Sequence, residues 1–66
     1  MTNLSLNLKL ARIRRNIKQR EVALRADLSP SAVSDFENGW RKPTPDQLAR
    51  ICAAIGISPE DLERAA

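Results

Sequence analysis

A chain of 66 residues with a formal charge of +3 has room for one hydrophobic core, so residues 1–66 are read as a single domain. It contains no His, no Tyr and one Cys, which removes the commonest general base, most metal ligands and the Cys-His nucleophile pair; neither catalysis, a metal nor any other cofactor is expected. Its apolar runs are far shorter than the roughly eighteen residues of a membrane span, and its aromatics, 3% of the chain, are too few for a single-strand stacking platform. The lone Cys52, with no secretory n-region and h-region, points to a reducing compartment, so a cytoplasmic protein is expected.

Ala, Leu, Ile, Arg and Glu dominate, which favours an all-α domain. The first predicted helix runs from about Leu4 to Arg15 and ends near Asn16, a residue type that tolerates the left-handed conformation. It opens a basic stretch. Lys9, Arg12, Arg14, Arg15, Lys18 and Arg20 fall within twelve residues that hold no acid, and residues 1–42 together carry +5 against −2 for the remainder. A polyanion partner is one reading of this asymmetry, and a merely solvated basic face is the other.

The second helix is expected from Gln19 to Ala26, ending at Asp27. The third starts at Ser29-Pro30, where the residue before proline is pushed toward the extended backbone of an N-cap and proline gives up an amide that had no helical partner. It runs to Asn38 and stops at Gly39. Thr44-Pro45 begins the fourth, with Gln47 completing a capping box, and Ile55 ends it before Gly56. Ser58-Pro59 begins the fifth, which reaches Arg64, and its Glu60 and Asp61 sit against the positive end of the helix dipole. In the fourth helix Leu48, Ile51, Cys52 and Ile55 follow the i, i+3, i+4, i+7 pattern of an inward stripe, so Cys52 reads as a small buried hydrophobe.

Only Asp27-Leu28-Ser29 separate the second and third helices, too few residues for an antiparallel hairpin, so a steep helix-turn-helix is expected. Val22, Ala23, Ala26, Leu28, Val33 and Phe36 are expected to share its interior. That leaves Ser31, Ala32, Ser34 and Asp35 on the outer face of the third helix, short side chains suited to insertion into a groove.

The segments Gln19-Arg20-Glu21-Val22-Ala23, Leu28-Ser29 and Val33-Ser34-Asp35-Phe36-Glu37-Asn38-Gly39, with the basic Pro-containing loop that follows, resemble the phage repressor and Cro-like (XRE) helix-turn-helix family over roughly residues 8 to 62. The resemblance implies a compact five-helix repressor-like bundle and a sequence-specific regulator of transcription, a repressor acting as a homodimer on double-stranded operator DNA in the nucleoid. It implies that the third helix enters the major groove with Ser31, Ala32, Ser34 and Asp35 at base edges, where Ser donates or accepts, an Ala methyl meets thymine and a carboxylate accepts from cytosine N4. Gln19, Asn38, Arg41 and Lys42 match phosphate-binding positions, with Lys9 and Lys18 as further clamps. Arg12 and Glu37 match a pair that orients the reading helix; the alternative is a phosphate contact for Arg12 and a solvated Glu37. Dimerisation near the C-terminal end points to Ile57, Pro59, Asp61 and Leu62.

Three positions depart from the pattern. Asp27 stands where the family has Gly, and Lys18 where it has Ser, so the turn is strained and the second helix lacks its customary cap. Trp40 replaces a basic or small residue and either packs on sugar atoms or covers the edge of the core. With Leu8 and Ala11 inward, as the resemblance implies, Leu6, Leu10 and Ile13 fall on the far side of the first helix. That apolar stripe is the basis of a second reading, an antitoxin-like or phage regulatory subunit whose main ligand is another protein; the alternative is a first helix that is simply more buried.

Overall fold

Serine or threonine followed by proline opens three of the helices, and each start is closed by its own hydroxyl. Ser29 Oγ accepts from the Ala32 amide at 3.1 Å, Thr44 Oγ1 from Gln47 at 3.1 Å and Ser58 Oγ from Asp61 at 3.1 Å. Gln47 returns the favour, its Oε1 accepting from the Thr44 amide at 2.9 Å to complete the capping box. The computed structural model describes residues 3–64, with side chains through residue 62. It contains α1 (Leu4–Arg14), α2 (Gln19–Ala26), α3 (Pro30–Asn38), α4 (Pro45–Ile55) and α5 (Pro59–Arg64), and no strand among the described residues.

The helix ends follow from left-handed residues. Asp27 has φ 57° and ψ 47°, Gly39 has φ 78° and Gly56 has φ 94°, each reversing the chain directly after a helix. Asn16 does the same at φ 56° beyond α1. That helix ends one residue short of the expected Arg15, because the Arg15 amide donates to Arg12 O at 3.2 Å, a tighter i to i−3 closure than the α pattern. Lys18 at the start of α2 makes no side-chain cap.

α2 packs on α3 and α4, while α1 packs on α3 and α5. The core they enclose is built from Leu8, Val22, Ala23, Ala26, Val33, Phe36, Ile51, Cys52, Ile55 and Leu62, each of the larger ones contributing about 1.5–3 kcal/mol by leaving water. Small Ala23 and Ala26 allow α2 to approach its neighbours closely. Burial pushes the Cys52 thiol above its ordinary pKa, which keeps it neutral and unreactive.

Two expectations are corrected by this packing. Ala32 is 7% exposed and lies in the core, so it cannot reach a base edge. It sits four residues before Phe36, about 40° from it around the helix, and the inward arc of α3 is wide enough to take both. Leu62 is 1% exposed and is likewise a core residue rather than an interface residue. It is the inward anchor of α5, and its carbonyl accepts from Asn7 Nδ2 at 3.0 Å.

Candidate nucleic-acid interface

The last turn of α3 is held by one carboxylate. Glu37 has a side chain only 4% exposed, and a charge this far from water requires strong partners. Arg12 of α1 provides a fork, donating from Nε to Oε2 at 2.7 Å and from Nη2 to Oε1 at 3.0 Å. Its third nitrogen, Nη1, donates to Ile17 O at 2.8 Å, and Gln19 Nε2 donates to Glu37 Oε1 at 3.0 Å. α1, the start of α2 and the end of α3 are thus tied at a single group. A pair like this orients elements more than it adds net stability, because desolvation offsets much of the attraction.

What the clamp orients is a short polar face. Ser31 is exposed, Ser34 and Asp35 are half-buried, and Asn38 at the last position of α3 is exposed. Asn38 Nδ2 donates to Ser34 Oγ at 3.3 Å. No long aliphatic side chain stands among these residues, so the surface admits close approach by another molecule.

The loop after α3 is rigidly attached to it. The amides of Trp40 and Arg41 both donate to Asp35 O, at 2.9 and 3.4 Å. Arg41 folds back, its Cζ 5.5 Å from the centroid of the Phe36 ring and its Nη1 3.7 Å from Asp35 Oδ2. Trp40 is 77% exposed and covers nothing. Lys9 on α1, Lys18 ahead of α2 and Lys42 in the loop are exposed, and none of them forms an ion pair among the described residues.

The structure therefore brings together Arg12 with Glu37 and Gln19, Ser34 with Asn38, and Asp35 with Arg41. Ile57 is half-buried, and Pro59 and Asp61 are exposed at the start of α5. Leu6, Leu10 and Ile13 all lie exposed on α1.

Several structural partners carried little sequence signal. Asn7, buried between α1 and α5, depends on a carbonyl 55 residues away. Arg25 Nη1 donates to Ala54 O at 3.2 Å, serving an open carbonyl near the end of α4. The resemblance puts Gln19 at a phosphate, and its carboxamide also serves Glu37; the position of Glu37 on the inward arc with Val33 is the spacing that suggests it.

A helix-turn-helix family model, HTH_3, matches residues 8–62. The control protein C.BamHI of Bacillus amyloliquefaciens is 36% identical over 47 residues, which are 71% of this chain and 58% of that protein, so the chain spans less than two thirds of that relative's length. The clp gene regulator ClgR of C. glutamicum superposes with a TM-score of 0.87 at 30% identity, over 92% of this chain and 79% of that one. The restriction-modification controller protein C.AhdI of Aeromonas hydrophila, at 23% identity, has the same fold, with a TM-score of 0.88 over 92% of each chain. With the clamp, the short-faced α3 and the match across residues 8–62, the chain belongs to the phage repressor and Cro-like (XRE) helix-turn-helix family of DNA-binding transcription regulators.

Proposed function

We propose that this chain is a sequence-specific regulator of transcription that docks α3 in the major groove of double-stranded DNA and acts as a two-fold dimer on a near-palindromic operator. The observation that carries the reading is α3 itself: a helix with Ser31, Ser34 and Asp35 on its open side, locked at its end by Glu37 and followed by a cationic loop. Ser31, Ser34 and Asp35 read base edges, and Ala32 has no part in it. Lys9, Lys18, Arg41, Lys42 and Asn38 take phosphates, which fix the register of the helix in the groove. Gln19 joins them through the second hydrogen on its Nε2 and through its amide at the start of α2, which has no partner within the helix.

Asp35 and Arg41 face each other, yet their pair is long and half in water, worth about 0–1 kcal/mol, so a phosphate can take Arg41 from it. Dimer contacts fall to Ile57, Pro59 and Asp61. Two half-sites engaged together raise affinity through effective concentration, which a single domain this small requires. Repression at an operator in the nucleoid is the regulatory mode, and the regulators named above support regulation as the role.

The exposed Leu6, Leu10 and Ile13 favour a second reading, in which the main ligand is another protein. Binding to a random-sequence duplex at two salt concentrations separates the two. The DNA reading expects binding whose log affinity falls with log salt by about 0.9 per phosphate contacted. Absence of binding at low salt would leave the protein-partner reading in its place.

A further inference from the structure

We propose that Trp40 is a DNA-contacting residue: its indole ring packs along the deoxyribose of the strand that Arg41 and Lys42 neutralise, and its Nε1–H donates to a phosphate oxygen there. The inference rests on the docking of α3 proposed above and assigns a role to a residue that docking leaves unused. Tryptophan ordinarily buries most of a large apolar surface, and a tryptophan left 77% exposed is an unfilled contact. It neither covers the core nor lies on a loose tail. Its backbone is held by the Asp35 carbonyl on one side, by Gly39 in the left-handed conformation before it, and by buried Pro43 and the Thr44 cap after it. A two-torsion side chain on so fixed a backbone is preorganised, so little freedom is lost on contact.

The charge around the indole selects the partner. Gly39–Pro43 contains two cations and no acid, and of the two acids before it in α3, Glu37 is buried against Arg12 and Asp35 is faced by Arg41. An apolar protein surface laid on Trp40 would have to strip water from Arg41 and Lys42 without compensation. A second copy pairing through this same patch about a two-fold axis would bring like charges face to face. A sugar-phosphate strand meets all three side chains at once, offering apolar deoxyribose to the ring and oxygen to the cations. The indole and these two cations also rim an open cleft of about 360 Å³ that reaches Asn3 and Ser5 at the start of α1, room enough for a phosphodiester. The Trp40 amide is bonded to the carbonyl of Asp35, so the loop that carries the indole is fixed to the helix that carries Ser31, Ser34 and Asp35.

Trp40 is the chain's one Trp and there is no Tyr, so its emission reports on this site alone. The whole chain is titrated with a random-sequence duplex, following Trp40 emission with unlabelled DNA and, in parallel, the anisotropy of the same duplex carrying a terminal dye. The expected result is quenching of Trp40 with the midpoint given by anisotropy. Trp40→Ala should weaken binding on the order of tenfold with an unchanged melting temperature and an unchanged slope of log affinity against log salt, since an indole releases no counterion. Trp40→Phe should recover part of the loss. Saturating anisotropy with unaltered Trp40 emission would overturn the inference, as would Trp40→Ala binding DNA like the parent. So would a change in self-association without one in DNA affinity, which would assign the indole to a protein contact. Failure of the parent chain to bind any duplex would show in the anisotropy itself and remove the DNA reading along with this one.

Discussion

The clamp at the end of α3 makes a demanding prediction. In Glu37→Ala the guanidinium of Arg12, whose side chain is 13% exposed, keeps only its bond to Ile17 O and loses both contacts of the fork. In Arg12→Ala the carboxylate, at 4% exposure, keeps only the neutral donor of Gln19, and Ile17 O also goes unserved. Breaking a buried pair by removing one partner costs about 3–5 kcal/mol, and incomplete burial of Arg12 places the expected loss near the low end, about 3 kcal/mol for either change. A chain of this length has roughly 3–10 kcal/mol of total stability, so each variant should be marginal. The double variant has no stranded charge, and its loss should fall short of the sum of the single losses by about 2 kcal/mol. Urea unfolding followed by far-ultraviolet circular dichroism measures all four proteins with one linear extrapolation each. Helical signal is the appropriate probe, because exposed Trp40 reports poorly on the core. Additivity to within about 0.5 kcal/mol would refute the claim that the two charges depend on each other.

Asp27 adopts φ 57° with no side-chain hydrogen bond or ion pair among the described residues, so Asp27→Gly should be neutral or stabilise by up to about 1 kcal/mol; a loss larger than that in urea melts would show that the carboxylate holds something. Leu10, 38% exposed, should accept Leu10→Lys with little change in melting temperature but altered self-association or solubility by sedimentation, whereas a large loss of stability would place it in the core and remove the support for a protein-partner surface. Cys52 should react with a thiol reagent only when the chain unfolds. Its raised native pKa means that the neutral thiol's contribution is complete below the ordinary thiol value and is lost as pH rises through the native one, so the stability gap between the parent and Cys52→Ala should narrow at alkaline pH; fast labelling under native conditions would contradict its burial.

Much of the fold was legible because it is written in local backbone chemistry. Ser29-Pro30, Thr44-Pro45 and Ser58-Pro59 mark helix starts through effects confined to neighbouring residues, and the left-handed stops at Asp27, Gly39 and Gly56 are equally local. Side-chain destinations were harder to read. Ala32 falls outward once only Val33 and Phe36 of α3 are taken for the interior, although its offset from Phe36 puts it on the core arc. The resemblance puts Leu62 at an interface, but a leucine in a short helix between charged residues is the anchor that seats the helix. Gln19 and Asn7 are decided by partners far along the chain, and no local rule names those partners. The clamp of Arg12 and Glu37 was suggested by family resemblance; composition alone also allowed a phosphate contact and a solvated acid.

The central claim is that α3 reads sequence while the cations hold the backbone. Selection from a random duplex pool defines the preferred half-site, after which the parent is compared with a variant carrying Ala at Ser31, Ser34 and Asp35 together and with Lys42→Ala. The triple variant should lose about 1–3 kcal/mol of discrimination at each base those residues read, while its binding to random duplex is kept or, with the Asp35 charge gone, strengthened. Lys42→Ala should weaken both duplexes alike and reduce the salt slope by about one unit. A triple variant that selects the same half-site as the parent would contradict the account, because α3 would then not be the reader.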